Sequence, residues 1–217
     1  MTIGESRAPV QPGEPAPDFT LPAVEREGTV SLADYRGRAP VLLALFRGLY
    51  CPFCRRAIAQ LGMTREKLRG MGVETLGVVA TKTENARLYF RHRPTRLPLA
   101  ADAELATHRA YGLPKPPVTP DLLQALKTVR ANPTGELPEP MPLAEAAQAI
   151  DRLDGFEPTA TDREDMERQF PQLKGQFLID RGGIVRWANV ECAREGFAGL
   201  GQFPTDDALL AAAKSLH

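Results

Sequence analysis

The sequence has little cysteine and no disulfide framework. Its 217 residues contain three cysteines, of which Cys51 and Cys54 are close together and Cys192 is distant. Small secreted proteins stapled by disulfides carry a denser and usually even set of cysteines. One reactive pair in a reducing compartment fits this usage better.

Charge of one sign is also lacking. Lys and Arg total 27, and Asp and Glu total 27, so the formal net charge is zero. This balance indicates neither a nucleic-acid partner nor attraction to an anionic membrane. No apolar stretch approaches the roughly 18 residues of a transmembrane helix, and the first residues form no apolar signal region. We therefore predict a cytoplasmic protein.

Patterns of metal ligands are absent from the sequence as well. A structural zinc site needs four ligands, which usually include a second Cys-x-x-Cys or a close pair of histidines. Neither pattern occurs among the three cysteines and three histidines. We expect no metal and no cofactor. With 43% hydrophobic residues, the chain can bury one substantial core, so we predict a single domain over residues 1–217.

The cysteine pair stands between an apolar run and a predicted helix start. Val41–Phe46 is a short, uninterrupted apolar run, which is typical of a strand buried on both faces. Arg47 and the three residues after it end this run. Pro52 suits the first position of a helix because that position needs no amide donor. We therefore predict that Cys51 lies at a helix N-terminus, with Cys54 one turn later on the same face.

Cys51 is the predicted nucleophile. Only a thiolate attacks a disulfide or a peroxide. Amide donors at a helix start and a partner thiol can lower a thiol pKa from about 8.5 to roughly 3.5 to 7.5. Arg47, Arg55 and Arg56 add positive charge nearby. Arg55 and Arg56 oppose the helix dipole, so their position is favourable only if an anion lies beside them; the alternative is that they point into solvent.

Strands and helices alternate after the cysteine pair. The first helix is predicted to end at Gly70 and Gly72, and a second core strand covers Val73–Ala80. Thr81 and Glu84 form a predicted capping box at the start of the next helix. A strand-helix-strand-helix order implies parallel strands joined by right-handed crossovers.

A hairpin is predicted near the C-terminus. Gln176–Asp180 and Ile184–Val190 are separated by Arg181-Gly182-Gly183, which is a turn signal. Thr205 is the predicted N-cap of a last amphipathic helix.

Residues 113–173 differ in composition from the chain around them. Eight of the twenty prolines lie between Pro114 and Pro142. We interpret this segment as a helical, Pro-rich insertion within the single domain. It is expected to fold over the sheet edge, to cover the active site or to form a dimer interface.

Three helices are predicted within this segment. They cover Thr119–Arg130, with Thr119 as N-cap, and Leu143–Leu153, and the third starts at Thr161 with Glu164 completing a capping box.

Four stretches of the chain follow an order that a known family shares. They are Ala16–Leu21 with Val30–Leu32, Val41–Cys51, Leu97–Leu113, and Leu173–Arg186. Through these stretches the chain resembles the alkyl hydroperoxide reductase and thiol-specific antioxidant (AhpC/TSA) family, the peroxiredoxin branch of the thioredoxin fold. The resemblance implies an α/β, thioredoxin-like fold, with a mixed sheet flanked by helices.

The resemblance also implies roles for single residues. Cys51 matches the family's peroxidatic cysteine, and Lys174 stands where the family has an arginine that activates the peroxide. Lysine supplies a point charge without the planar fork of arginine. The family's Pro-x-x-x-Thr-x-x-Cys pattern is replaced here by Ala44 and Gly48 at the proline and threonine positions. In the family, the second cysteine does not usually come three residues after the first. The Cys51-Pro52-Phe53-Cys54 motif is closer to the Cys-Pro-Tyr-Cys of glutaredoxins than to the family's pattern.

Three residues are expected to contact the substrate. Gly48 stands at the family's threonine position, and Tyr50 and Pro52 flank the nucleophile. Tyr50 in particular is a candidate for lining a substrate groove.

Two enzymatic functions and one non-enzymatic function follow. The first is a thiol-dependent peroxide reductase, an antioxidant in which Cys51 is oxidised, Cys54 resolves it, and Arg47 and Lys174 stabilise the developing charge. The alternative is a thioredoxin-like or glutaredoxin-like thiol-disulfide oxidoreductase with the same nucleophile. The third is a redox-sensing or scaffold protein. The expected partners are a hydroperoxide or disulfide substrate, a thioredoxin-like protein or small thiol as reductant, and a second copy in a homodimer.

Cys192 follows the second hairpin strand. It could resolve an oxidised Cys51 or pair between chains, but we favour a buried, inert thiol because that is common for cysteine.

Overall fold

The structure is a computed structural model that describes residues 7–216. Its strands are β1 (Thr20–Pro22), β2 (Thr29–Ser31), β3 (Val41–Phe46), β4 (Glu74–Val79), β5 (Leu99–Ala101), β6 (Arg130–Ala131), β7 (Met141–Pro142), β8 (Gly175–Ile179) and β9 (Val185–Val190). Its α-helices are α1 (Pro52–Gly70), α2 (Thr83–His92), α3 (Ala106–Ala110), α4 (Pro120–Thr128), α5 (Leu143–Asp154), α6 (Ala160–Gln169) and α7 (Asp206–Lys214). Short 3-10 helices cover Leu32–Tyr35 and Gly196–Gly199.

A five-stranded mixed sheet in the order β5-β4-β3-β8-β9 forms the centre. β3, β4 and β5 are parallel, whereas β8 pairs antiparallel with both β3 and β9. The predicted mixed sheet flanked by helices is therefore confirmed.

Strand β3 is buried on both faces, as its apolar run predicts. Leu42, Ala44 and Phe46 pack with residues of α1, α5 and α7 on one side of the sheet. Val41, Leu43 and Leu45 pack on the other side with the N-terminal segment and Tyr111. The alternation follows from the two-residue period of a strand. Because both faces are buried, β3 holds the start of α1 in a fixed place.

The hairpin of β8 and β9 forms where the glycine-rich turn predicts it. Gly183 has a φ of 82°, a backbone conformation that favours glycine, and its N–H donates to the Asp180 carbonyl at 3.0 Å. A β-bulge between Leu178 and Ile179 shifts the strand register. Beyond the bulge, Gly175 pairs with Val190.

The segment 113–173 contains α4, α5, α6 and the small β6-β7 ribbon. Thr119 caps α4 as predicted, since its hydroxyl accepts from the Leu122 N–H at 3.3 Å. Helix α5 also matches its prediction closely. That this segment is an insertion into a single domain stays a prediction.

The predicted capping box of Thr81 and Glu84 is wrong. Helix α2 begins at Thr83 after Lys82, and no side chain caps its start. Thr81 is buried instead, and its hydroxyl accepts from Asn85 Nδ2 at 3.1 Å. A tertiary contact has replaced the local cap.

The predicted start of α6 is also wrong, by two residues. Its capping box joins Thr159 and Asp162, not Thr161 and Glu164. Both pairs fit the same four-residue spacing. Asp162 is buried and also accepts from Asn85 Nδ2, so a contact to α2 selects the earlier pair.

None of the helices in residues 7–216 is long and apolar enough to span a membrane.

Candidate active site

Cys51 is the N-cap of α1. Its backbone is extended, with φ −88° and ψ 106°, and Pro52 takes the first helical position. Its Sγ atom accepts a hydrogen bond from the Cys54 N–H at 3.3 Å. The predicted helix start at the cysteine pair is therefore observed, and a thiol takes the place of the usual capping oxygen.

The surroundings of Cys51 favour its thiolate. Burial raises the pKa of this thiol, but the Cys54 thiol, the charges of Arg47 and Lys174 and the Cys54 amide outweigh burial and lower the pKa to about 5. Three kinds of interaction thus act on one sulfur: a partner thiol, two cations and a helix amide.

Cys54 has the opposite character. It is fully buried, and burial raises its pKa well above the ordinary value; its hydrogen bond to Cys51 and the charge there add to this effect. Near neutral pH these surroundings therefore favour a thiolate at Cys51 and a protonated thiol at Cys54. That Cys51 is the nucleophile stays a prediction.

Arg47 and Lys174 meet at Glu191, which the sequence did not single out. Glu191 Oε1 accepts from Arg47 Nη2 at 3.0 Å and from the Gly201 N–H at 2.8 Å, and it lies 3.5 Å from Lys174 Nζ. Glu191 Oε2 accepts from the Lys174 N–H at 3.1 Å. The side chains of Lys174 and Glu191 are 0% and 2% exposed. The site thus contains a buried set of two cations and one carboxylate next to the thiol.

Further donors of the two cations are also held, except Arg47 Nε, which is buried and has no hydrogen-bond partner within residues 7–216. Arg47 Nη1 donates to the Gln172 carbonyl at 2.9 Å, and Lys174 Nζ donates to the Gln202 carbonyl at 3.0 Å. The burial of Arg47 lowers its pKa, but the charges of Glu191 and Cys51 outweigh this and raise it well above the ordinary value.

Gly48 lies just after β3, in a place where a side chain would be crowded. A Cβ atom at Gly48 would lie 2.9 Å from the Tyr50 ring and 3.1 Å from the Ala80 carbonyl oxygen. The Gly48 N–H donates to Gln169 Oε1 at 2.8 Å, and Gln169 Nε2 in turn donates to the Ala80 carbonyl. Gln169 therefore joins the ends of β3 and β4. Its neighbours Phe170 and Pro171 are linked by a cis peptide bond.

Tyr50 and Pro52 flank the nucleophile. Tyr50 is half-buried, and its hydroxyl is shielded from solvent and has no hydrogen-bond partner within residues 7–216. Burial raises the pKa of this phenol far above its ordinary value, so it stays protonated. That Tyr50 and Pro52 contact the substrate stays a prediction.

The anions that Arg55 and Arg56 need come from the segment 113–173. Arg55 Nη2 lies 3.1 Å from Asp154 Oδ2, and Arg56 Nη1 lies 2.7 Å from Asp154 Oδ1. Asp151 and Glu136 complete the pairing. These arginines thus bind α5 and the loop before it, and the alternative that they point into solvent is wrong.

Cys192 carries no sign of an activated thiol. Burial raises its pKa to about 12, with the Glu191 charge as the second cause. It is partly exposed and has a φ of 65°, in the left-handed region that few non-glycine residues adopt.

Glu191 and Gln169 are the site residues that sequence reasoning missed. The hairpin prediction alone gives no signal for Glu191, because only the register after the bulge, in which Gly175 pairs with Val190, brings Lys174 opposite Glu191. Gln169 gives no local signal, because it lies 121 residues from Gly48.

A small pocket lies beside this site. It is lined in part by Phe53, Gly201 and Gln202, and has a volume of about 220 Å³. Gly201 and Gln202 bind Glu191 and Lys174, so the pocket borders the charged set. Within residues 7–216, no group of three or more His, Cys, Asp or Glu side chains is placed to hold a metal ion.

A family model described as the AhpC/TSA family matches residues 12–188. A search of curated proteins finds no match. Among solved structures, the peroxidoxin BcpB from Mycobacterium tuberculosis is similar, with a TM-score of 0.58 and 13% identity over 96% of this chain and 99% of that chain. The mitochondrial 2-cys peroxiredoxin from Plasmodium falciparum has a TM-score of 0.57 and 15% identity, over 95% of this chain and 94% of that chain. At these identities the likeness to solved structures establishes the fold, which is thioredoxin-like.

Proposed function

The chain belongs to the AhpC/TSA family, and from this membership and the site we propose that it is a thiol-dependent peroxide reductase that uses Cys51. Family and fold indicate a thiol-based oxidoreductase or peroxidase. The observation that favours a peroxide reductase within this class is the burial of a cysteine whose surroundings favour the thiolate. Cys51 is 5% exposed and lies near two buried cations. A small peroxide can enter such a site, whereas a folded protein disulfide cannot reach the sulfur without local opening.

The proposed reaction begins at the Cys51 thiolate. The sulfur attacks one peroxide oxygen, the O–O bond breaks, and the leaving oxygen takes up one proton to become an alcohol or water. Cys51 is thereby oxidised to a sulfenic acid. Arg47 and Lys174 supply positive charge for the leaving oxygen as its negative charge develops.

Cys54 completes the cycle in this proposal. Its thiol attacks the sulfenic sulfur, one water leaves, and a Cys51–Cys54 disulfide forms. A small thiol or a thioredoxin-like protein then supplies two electrons and reduces the disulfide. Because Cys54 has no exposed surface, this last step needs local opening of the site.

A thiol-disulfide oxidoreductase is the second candidate, and the lack of a hydroxyl favours it. Gly48 occupies the position of the family's threonine, and the space at its Cα is closed by Tyr50 and Ala80. The site thus lacks one donor that would hold a peroxide. The closely spaced pair of a low-pKa and a high-pKa cysteine suits disulfide exchange equally well.

Stopped-flow kinetics separates the two candidates. The fully reduced protein is mixed with hydrogen peroxide or with a small model disulfide, and oxidation is followed by intrinsic fluorescence and by thiol counting. We expect faster oxidation by peroxide, no reaction in Cys51→Ser, and a trapped sulfenic acid in Cys54→Ser. Faster reaction with the disulfide than with peroxide would contradict the peroxidase and favour the oxidoreductase.

A further inference from the structure

Three charged side chains are buried together beside Cys51 and pair with one another. Arg47 and Lys174 carry two positive charges, and Glu191 carries one negative charge. Burial raises the pKa of Glu191, but Arg47, Lys174 and the Gly201 and Lys174 amides outweigh it and lower the pKa, so the carboxylate stays ionised. With Cys51 as a thiol the set has a net charge of plus one. With Cys51 as a thiolate the net charge is zero.

The titratable groups that interact with this thiol, or with the cations and the tyrosine beside it, come from several elements. They are Arg47 and Tyr50 after β3, Cys54 in α1, His108 in α3, Asp165 in α6, Lys174 before β8, and Glu191 with Cys192 after β9. Cys54, Cys192 and Tyr50 stay neutral near pH 7, because burial raises their pKa values. His108 also stays neutral, because burial lowers its pKa to about 4. Asp165 is paired with Arg168 at 2.7 Å, so this pair adds no net charge. The charge count near neutral pH is therefore set by Arg47, Lys174, Glu191 and Cys51.

We propose that Glu191 is a positioning residue that sets the charge balance of the site, and with it the stability of the Cys51 thiolate and of the Cys51–Cys54 disulfide. Glu191 acts through the two cations that it holds. This inference rests on the proposed chemistry of the Cys51–Cys54 pair and adds a residue that controls it.

The redox consequence follows from the charge count. At neutral pH, two electrons and one proton convert the disulfide into a Cys51 thiolate and a Cys54 thiol. The disulfide leaves a net buried charge of plus one, whereas the reduced pair leaves none. Burying net charge is costly, and the cost rises steeply with the charge. The wild-type site therefore favours the reduced pair, and a dithiol reduces the disulfide readily.

Removing one charge at a time gives opposite signs. Glu191→Gln raises the net buried charge to plus two when the cysteines form the disulfide and to plus one when they are reduced. The reduced pair is therefore favoured further. Lys174→Met lowers the net buried charge to zero when the cysteines form the disulfide and to minus one when they are reduced. The disulfide is therefore favoured. The double variant Lys174→Met with Glu191→Gln returns to the wild-type count.

The test measures the reduction potential of all four proteins in a dithiol-disulfide buffer at pH 7, together with the thiolate absorbance of Cys51 against pH. We expect Glu191→Gln to shift the equilibrium at least tenfold toward the reduced pair, which is about 30 mV more positive for a two-electron couple. Lys174→Met should shift it in the opposite direction and raise the pH at which the thiolate forms. The double variant should return close to wild type. Glu195→Gln, an exposed carboxylate four positions away, is the matched control and should change nothing.

A purely structural role for Glu191 gives a different result. Both single variants would then shift the potential in the same direction, or the double variant would fail to recover, and either result would overturn the inference. The comparison of Lys174→Met with the double variant stays decisive if Glu191→Gln alone does not fold, because the ion pair is already broken in both proteins. Potentials are measured without peroxide, so a wild-type protein that does not react with peroxide would refute the proposed function and not this inference.

Discussion

At the scale of single residues, the two cysteines of the pair differ because only one of them lies at the helix start. Cys51 is the N-cap and accepts the Cys54 N–H, whereas Cys54 is fully buried inside the first turn. The negative charge of the cysteine pair is therefore concentrated on the Cys51 sulfur. Its reactivity should follow the titration of that sulfur alone.

We predict that Cys51 is alkylated faster than Cys54 and Cys192 at every pH from 5 to 8. Its pKa of about 5 lies below the ordinary thiol value, so its thiolate is nearly fully formed above about pH 6 and is lost as the pH falls through 5. The labelling rate should be flat between pH 6 and 8 and fall about tenfold per unit well below pH 5. Partial iodoacetamide labelling with peptide mass analysis measures this. Labelling of Cys51 that keeps rising up to pH 8 would contradict it.

Gly48 gives a second test for a single residue, because a Cβ atom at this position would be crowded by its neighbours. We predict that Gly48→Ala lowers the free energy of unfolding by about 1 to 3 kcal/mol, since a Cβ atom meets the Tyr50 ring and the Ala80 backbone. Gly70→Ala is the matched control, because a Cβ atom there meets nothing within 4 Å. The control should be neutral or slightly stabilising. Urea unfolding of the two variants decides it, and equal stabilities would show that the loop after β3 adapts.

At the scale of elements, the start of α1 is held from two sides. Strand β3 fixes the chain before Cys51, and carboxylates of the segment 113–173 bind the arginines after it. Arg55 is also stacked on the Phe156 ring, 3.9 Å from its centroid. The arginines that oppose the helix dipole are thus used to anchor the segment.

We predict that Asp154→Asn weakens this anchor and lowers the free energy of unfolding by about 1 to 3 kcal/mol. The substitution removes the charge that Arg55 and Arg56 share, and Arg55 is a buried side chain that keeps only Asp151 and the Leu49 carbonyl. Chemical denaturation gives the magnitude. Glu66→Gln, which touches only the looser 3.6 Å pair with Arg65, is the control and should have no measurable effect. A stability loss in the control as large as that in Asp154→Asn would refute a specific anchor.

At the scale of the whole molecule, the sheet brings residues from both ends of the chain to one site. Arg47 and Cys51 follow β3, while Lys174 and Glu191 flank the hairpin of β8 and β9. The segment between them lies against this site at Gly48 and Arg47. These contacts place the end of the segment beside the candidate site, and which of the three expected arrangements the segment as a whole adopts stays a prediction. The homodimer and the cytoplasmic location stay predictions.

We predict that mild oxidation of the whole protein gives an intrachain disulfide between Cys51 and Cys54. The two residues lie in one helical turn, and Cys192 lacks an activated thiol. Non-reducing peptide mapping identifies the linked peptides, and non-reducing electrophoresis detects covalent dimers. Cys192→Ser is the control and should oxidise as wild type does. A link from Cys51 to Cys192, or a covalent dimer lost in Cys192→Ser, would show that resolution uses the distant cysteine.

The local parts of this site follow from short sequence patterns. The apolar run of β3, Pro52 at the first helical position and the glycine-rich turn act within a few residues, so β3, the start of α1 and the late hairpin can be predicted from them. The same holds for the position of Cys51 at the N-cap. Local rules failed where two capping boxes fitted equally well, as at Thr159 and Thr161.

Which charges surround the thiol depends on contacts between residues that are distant in sequence. A ladder without the bulge at Leu178 and Ile179 would place Val190, not Glu191, opposite Lys174. No local pattern in the sequence reveals that bulge. The carboxylates that bind Arg55 and Arg56, and the Gln169 amide that joins Gly48 to Ala80, also come from distant residues. The position of Cys51 at the helix start can be predicted from its neighbours in sequence. The charges around its sulfur also come from Lys174 and Glu191, more than 100 positions away, which meet Arg47 only when the sheet forms.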